Sequence, residues 1–145
     1  MTAPLDGIRV VEFGAFAATA YCGKLFADFG AEVFKVEVPE GDPARHHEPL
    51  IGPSDDRQGG WFAWLNAGKQ SLVLSGDGMD AALDVLLART DVLIDAEDPA
   101  TAAKRHADLR GRFPHLTIMS LSWFGESGPY AGFVGSDAVC RALAG

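Results

Sequence analysis

Short apolar runs alternate along this chain with amphipathic stretches, and the alternation predicts its elements. Ile8-Arg-Val-Val-Glu-Phe13 is β-branched and apolar, and predicts a strand. Gly14 to Ala18 is a small-residue turn. Thr19 is placed to cap a helix running to about Phe29, with Tyr21, Cys22, Leu25, Phe26 and Phe29 on one face at 3–4 spacing. Gly30 suits the left-handed position that ends a helix, and Ala31 to Glu37 reads as a second strand. A strand–helix–strand unit implies parallel pairing.

Pro39 to Gly60 breaks the pattern: Pro39, Pro43, Pro49 and Pro53 fall inside it and no period is sustained. Trp61-Phe-Ala-Trp-Leu65 is an apolar patch expected to be buried. Ser71 to Leu74 predicts a strand, and Met79, Leu83, Leu86 and Leu87 mark an amphipathic helix. Asp91 to Ile94 predicts a further strand. Asp98-Pro99 supplies an N-cap and a first-turn proline for a helix to about Arg110. His115 to Leu121 predicts another strand, and Asp137 to Leu143 begins a helix. This order argues for an α/β fold, an open and mostly parallel Rossmann-like sheet with helices on both faces. The last helix is cut short, so the fold is expected to be incomplete at the C-terminus, as in a fragment or one half of a longer enzyme.

The 145 residues are 48% hydrophobic, which suits one domain with a real core. The formal net charge of −8 and the lack of a basic cluster beyond Lys104-Arg105 disfavour nucleic acid. No apolar run approaches a membrane span, and no secretion signal is visible, so no membrane and a cytoplasmic location are expected. Cys22 and Cys140 form no disulfide framework. His46-His47, His106 and His115 show no ligand spacing, so no metal is expected. Carboxylates such as Asp55-Asp56 read as solvated loop charges. A dinucleotide fingerprint needs three glycines after the first strand; Gly14-Ala-Phe-Ala-Ala-Thr19 has one, which disfavours NAD although Glu37 stands where a ribose-binding acid would.

Four further segments carry chemistry: Gly30-Ala-Glu-Val-Phe-Lys-Val-Glu37 followed by Gly41-Asp-Pro-Ala-Arg45, Asn66-Ala-Gly-Lys69-Gln-Ser71, Ser122-Trp-Phe-Gly-Glu-Ser-Gly-Pro-Tyr130, and Gly135-Ser-Asp137. Their order and spacing resemble the class III CoA-transferase family, with its formyl-CoA and carnitine-CoA transferases and its acyl-CoA racemase relatives. The resemblance covers essentially residues 1–145 and implies the N-terminal CoA-binding portion of a larger protein. It implies a coenzyme A thioester as substrate, with acyl-CoA and a carboxylic acid as partners, and Phe16, Ala17, Arg45, Lys69 and Lys104 as CoA-binding residues. It also implies a homo-oligomer of interlocked protomers. The family's nucleophilic aspartate would lie beyond Gly145, on a missing C-terminal portion or a partner subunit. No catalytic residue is therefore assigned here, and the chain alone is expected to be inactive.

Departures from the family pattern keep a second reading open. Ala17 stands at a glutamine position, Thr19-Ala20 at a Gly-Pro, and Ala67 and Gln70 at arginines. Ala96 replaces an asparagine, Asp98 an arginine and Trp123 a glycine. The alternative is a degenerate, non-catalytic structural or CoA-binding half of a fused or heteromeric enzyme. Ser136, where the racemase branch carries a histidine base, disfavours racemisation, since serine is no base at neutral pH unaided.

Overall fold

The computed structural model describes all residues except 1, 16, 54–56, 77 and 97–98. In chain order these form β1 (Arg9–Phe13), α1 (Ala17–Asp28), β2 (Glu32–Glu37), a 3-10 turn (Pro43–His46), β3 (Leu50–Ile51), β4 (Gln58–Gly59) and α2 (Gly60–Leu65). There follow β5 (Gln70–Val73), α3 (Met79–Leu87), β6 (Val92–Asp95), α4 (Pro99–Arg112), β7 (Thr117–Ser120) and α5 (Asp137–Ala144). Among the described residues, β5-β2-β1-β6-β7 form one sheet in that order, and every pairing in it is parallel. β3 and β4 make a two-residue antiparallel ribbon inside the long break.

Strand pleating sorts the apolar side chains between the two faces. Val10, Val33 and Ile94 point to one face with Cys22, Phe26 and Ala27 of α1. Val11 and Leu93 point to the other, against Leu87 of α3, Leu109 of α4 and Leu116. Val10, Val11, Leu87, Leu93 and Ile94 are fully buried, and each contributes about 1.5–3 kcal/mol. Helices therefore cover both faces, as the element order predicts.

α1 ends where the sequence signals it should. Gly30 takes a φ of 96°, its N–H donates to Ala27 O, and the Ala31 N–H donates to Phe26 O. That double closure satisfies the carbonyls left open by the helix end.

Three local expectations are corrected. Thr19 does not cap α1: the helix already begins at Ala17, so Thr19 lies within its first turn, fully buried. The apolar face of α1 is split, with Cys22 and Phe26 on the core while Tyr21 and Phe29 stay about half exposed. Trp61 to Leu65 is a short helix instead of a buried patch: Phe62 and Leu65 go inward, but Trp61 and Trp64 are 57% and 55% exposed. The Asp98 cap and Asp55-Asp56 lie outside the described residues.

The break between β2 and α2 is packed tightly around Gly59. A Cβ there would stand 2.1 Å from the Ala44 carbonyl oxygen and 2.9 Å from that of His47. These are backbone atoms and cannot swing aside. Gly59→Ala is expected to cost about 1–3 kcal/mol by overpacking, read as a lower urea midpoint with unchanged slope.

Candidate functional site

The strand order reverses at β1: the chain moves outward through β2 and β5, then returns to β6 and β7 on the other side. In open α/β sheets, ligands bind outside the carboxyl ends of the strands at such a switch. Here that place lies between Phe13-Gly14 and Asp95-Ala96, joined by the Ala96 N–H donating to Phe13 O at 3.2 Å. Gly14 has a φ of 128°, and a Cβ on it would lie 2.9 Å from the Thr19 methyl and 3.1 Å from the Ala96 methyl. The turn into α1 is therefore closed to any larger residue. The first N–H groups of α1 open toward the same end, where a helix favours an anion.

Two buried ionic groups support this end of the sheet. Glu12 and Lys35 face each other across β1 and β2, with Lys35 Nζ 3.2 Å from Glu12 Oε1. Lys69 Nζ donates to Glu12 Oε2 at 2.8 Å, to Ala20 O at 2.7 Å and to Asn66 Oδ1 at 2.9 Å. Lys35 also pairs with Asp42 Oδ2 at 2.8 Å. Two lysines thus balance two carboxylates, all four side chains no more than 2% exposed. Burial pushes the Lys69 ammonium below its ordinary value, and Glu12 pulls it back up. Burial foremost raises the Cys22 thiol, with Glu12 adding to the shift.

The second group is built by Gly41-Asp-Pro-Ala-Arg45. Asp42 caps the 3-10 turn by accepting from the Ala44 N–H at 2.8 Å, with Pro43 at the first position. This presents Arg45 as a fork on Glu37: Nη2 to Oε1 at 2.7 Å and Nε to Oε2 at 2.8 Å. Ser71 Oγ and the Asp42 N–H also donate to Glu37, at 2.6 and 2.9 Å. The Arg45 guanidinium lies 3.9 Å from the centre of the Phe62 ring, an attractive cation–π contact. Burial alone would raise the Glu37 carboxyl; the donors and the Arg45 charge outweigh it and hold it at about 2.

A third cluster sits on the opposite face. Asp95, fully buried, pairs with the Arg105 guanidinium and lies 2.7 Å from His106 Nε2. Between these groups a cavity of about 410 Å³ is bordered by Gly14, Lys35, Glu37, Asp42, Leu83 and Arg105. Among the described residues, no three of His, Cys, Asp or Glu are gathered to hold a metal, and no helix is long and apolar enough to cross a membrane.

The described residues proposed from sequence to touch CoA lie on separate elements. Ala17 is exposed at the start of α1; Arg45 is half-buried on Glu37; Lys69 is enclosed beneath α1; Lys104 is exposed on α4. Phe16 lies outside the described residues. Sequence reasoning gave no site role to Glu12, Lys35, Asp42, Asp95 or His106. A signal existed for the first two: each is a charge inside an otherwise apolar run that must be covered on both faces. Ser136, in the stretch read as opening the last helix, caps α5 by accepting from the Val139 N–H at 3.3 Å.

An open parallel α/β sheet with a polar frame at its switch point defines the class, and comparison with known proteins defines the family. The model of CoA-transferase family III matches residues 5–145. The chain is 37% identical over 151 residues to the succinate–glutarate CoA-transferase of Agrobacterium fabrum, a match covering 98% of this chain and 38% of that protein. It is 34% identical over 152 residues to the succinyl-CoA–D-citramalate CoA-transferase of Chloroflexus aurantiacus, covering 98% and 36%. A crystal structure of a CAIB/BAIF family protein from Brucella suis superposes with a TM-score of 0.90 at 32% identity, over 99% of this chain and 39% of that one. The chain belongs to CoA-transferase family III, and it spans 36–39% of the length of these relatives.

Two stability predictions follow from the buried charges. Lys69→Met removes one of the two cations on Glu12 and is expected to cost roughly 3 kcal/mol in urea unfolding at neutral pH. The folded Glu37 carboxyl is depressed from 4.5 to about 2, so its contribution is complete above 4.5 and is lost as pH falls toward about 2. Arg45→Met should flatten the fall of thermal midpoint across that window relative to the unmodified chain.

Proposed function

We propose that this chain is the CoA-binding portion of an enzyme that moves CoA between carboxylic acids. The observation that carries the reading is the family match across residues 5–145, joined by two relatives named as CoA-transferases. The nucleophilic aspartate is assigned to the part of those relatives that this chain does not span. Its carboxylate attacks the acyl-CoA carbonyl, releasing CoA thiolate and leaving a mixed anhydride. The thiolate then attacks the aspartyl carbonyl, freeing the first acid and forming an aspartyl-CoA thioester. The second acid repeats both steps in reverse, so no water is consumed.

In this reading the turn at Gly14 and the start of α1, with Phe16 and Ala17, face the reacting end of CoA. Arg45, Lys69 and Lys104 are the candidate cations for its phosphates. Acyl-CoA and a carboxylic acid are the proposed partners, acting on an oligomer in the cytoplasm. No residue of this chain is proposed to bond covalently.

One observation favours the second reading, a degenerate, non-catalytic half, in its structural form that does not bind CoA. Lys69 is enclosed with three internal partners, and Arg45 is forked onto Glu37, so two of the three proposed cations already have carboxylate partners. CoA binding separates the first reading from the structural form of the second.

Calorimetric titration of CoA into this chain is expected to show binding, with Lys104→Glu weakening it by roughly tenfold. Transfer between acyl-CoA and free acid is expected only when the aspartate-bearing remainder is present. Absence of CoA binding both alone and with that remainder would overturn the first reading.

A further inference from the structure

Lys35 stands on β2 opposite Glu12 of β1, and its side chain is 2% exposed. Its stem carries the ammonium to the carboxyl end of the sheet, where it meets three segments of the chain. Nζ donates to Glu12 Oε1 at 3.2 Å and to the Gly14 carbonyl oxygen at 3.2 Å. It also forms an ion pair with Asp42 Oδ2 at 2.8 Å. An ammonium is a compact charge whose three donors face acceptors on different sides, which the flat fork of an arginine does not.

Two of those acceptors belong to turns that border the cleft. Gly14 opens the turn into α1, and Asp42 caps the 3-10 turn that presents Arg45. Gly14, Lys35 and Asp42 all line the cavity of about 410 Å³. Each turn is braced locally. Beside Gly14, the Ala96 N–H donates to Phe13 O at 3.2 Å. In the other turn, the Gly41 N–H donates to Val38 O at 2.8 Å, the Asp42 N–H to Glu37 Oε2 at 2.9 Å and the Arg45 N–H to Asp42 O at 2.9 Å. Lys35 crosses from one braced turn to the other.

We propose that Lys35 is a positioning residue that ties the Gly14 turn to the Gly41–Arg45 turn and so sets the spacing of the two cavity borders. The enclosed ammonium acts through Gly14 and Asp42, and takes no part in bond making. Without it, Glu12 keeps Lys69 as a counterion, so β1 and its cover by α1 persist while the two turns move independently. The consequence for a ligand rests on the CoA-binding reading; the tie itself does not.

The test is amide exchange of the ligand-free chain, read residue by residue by NMR and compared with the interior of β1 and β6. Lys35→Met keeps the stem and removes the ammonium. It is expected to speed exchange about tenfold both at residues 41–45 and at Ala96. Asp42→Asn keeps an oxygen for the Ala44 N–H and loses the ion pair, so it should speed residues 41–45 and leave Ala96 unchanged. Leu116→Ala, a core truncation at the amino end of β7, lowers global stability and should leave both segments at their unmodified rates. Titration of CoA, into the chain alone or joined to the proposed aspartate-bearing portion, should show affinity about tenfold weaker in Lys35→Met and unchanged in Leu116→Ala. Exchange that stays unmodified at either segment in Lys35→Met overturns the tie. Should that variant fail to fold, unmodified exchange at residues 41–45 in Asp42→Asn overturns it instead. Unchanged affinity of Lys35→Met, where the unmodified protein binds CoA, overturns the positioning role. Absence of CoA binding by the unmodified protein in both forms overturns the CoA reading and not the tie, which the exchange rates decide.

Discussion

The carboxylate of Glu12 governs this fold. It sits at the centre of the sheet, on the face covered by α1, with no exposure to water. Two ammonium groups answer it, one from the adjacent strand and one from the turn before β5, 57 residues away in sequence. Its presence shapes the helix above it: a Cβ at Gly23 would stand 1.9 Å from Glu12 Oε2, so α1 crosses this point on a glycine. Lys69 also donates to Ala20 O, which ties the same helix to the turn before β5. Through Lys35 and Asp42 the network reaches the 3-10 turn and its Arg45. Buried pairs of this kind add little net stability over apolar packing. Their consequence is geometric: α1 at Ala20, the turn before β5 and the 3-10 turn are tied to the β1–β2 pair.

Much of this architecture is legible in the sequence, and the illegible part has physical causes. The strands at residues 9–13, 32–37 and 92–95 are short, β-branched and covered on both faces, so their apolar runs stand out. The Gly30 stop is legible because a left-handed position demands glycine. Trp61 to Leu65 was not, since an apolar run of that length fits a buried patch and a half-exposed short helix equally well. The start of α1 was misread because Thr19 has the chemistry of a cap while the small residues before it continue the helix. The polar frame was invisible as a frame. Glu12 and Lys35 become neighbours only once β1 and β2 pair, and Lys69 joins them only through tertiary packing.

That frame changes how the family's motifs are understood in this chain. Gly41-Asp-Pro-Ala-Arg45 and Asn66-Ala-Gly-Lys69-Gln-Ser71 each place a cation, and each cation has a buried carboxylate as its partner. Arg45 and Lys69 therefore serve as counterions to Glu37 and Glu12, while Gly41, Asp42 and Pro43 border the cavity. Around them, the closed turn at Gly14 and the start of α1 offer backbone N–H groups, which suit an anion without any free side-chain charge. An acidic protein with few cations is compatible with a phosphorylated ligand on those terms.

In the proposed function, the switch between β1 and β6 is the place where CoA meets this chain. Hydrogen exchange measured with and without saturating CoA, on the chain joined to the proposed aspartate-bearing portion, tests it most directly. The account predicts slower exchange at residues 14–20 and at 96, with residues 5–8 and 90–91 at the opposite ends of the strands unchanged. Slowing confined to those opposite ends, with the 14–20 turn unaffected, would contradict it.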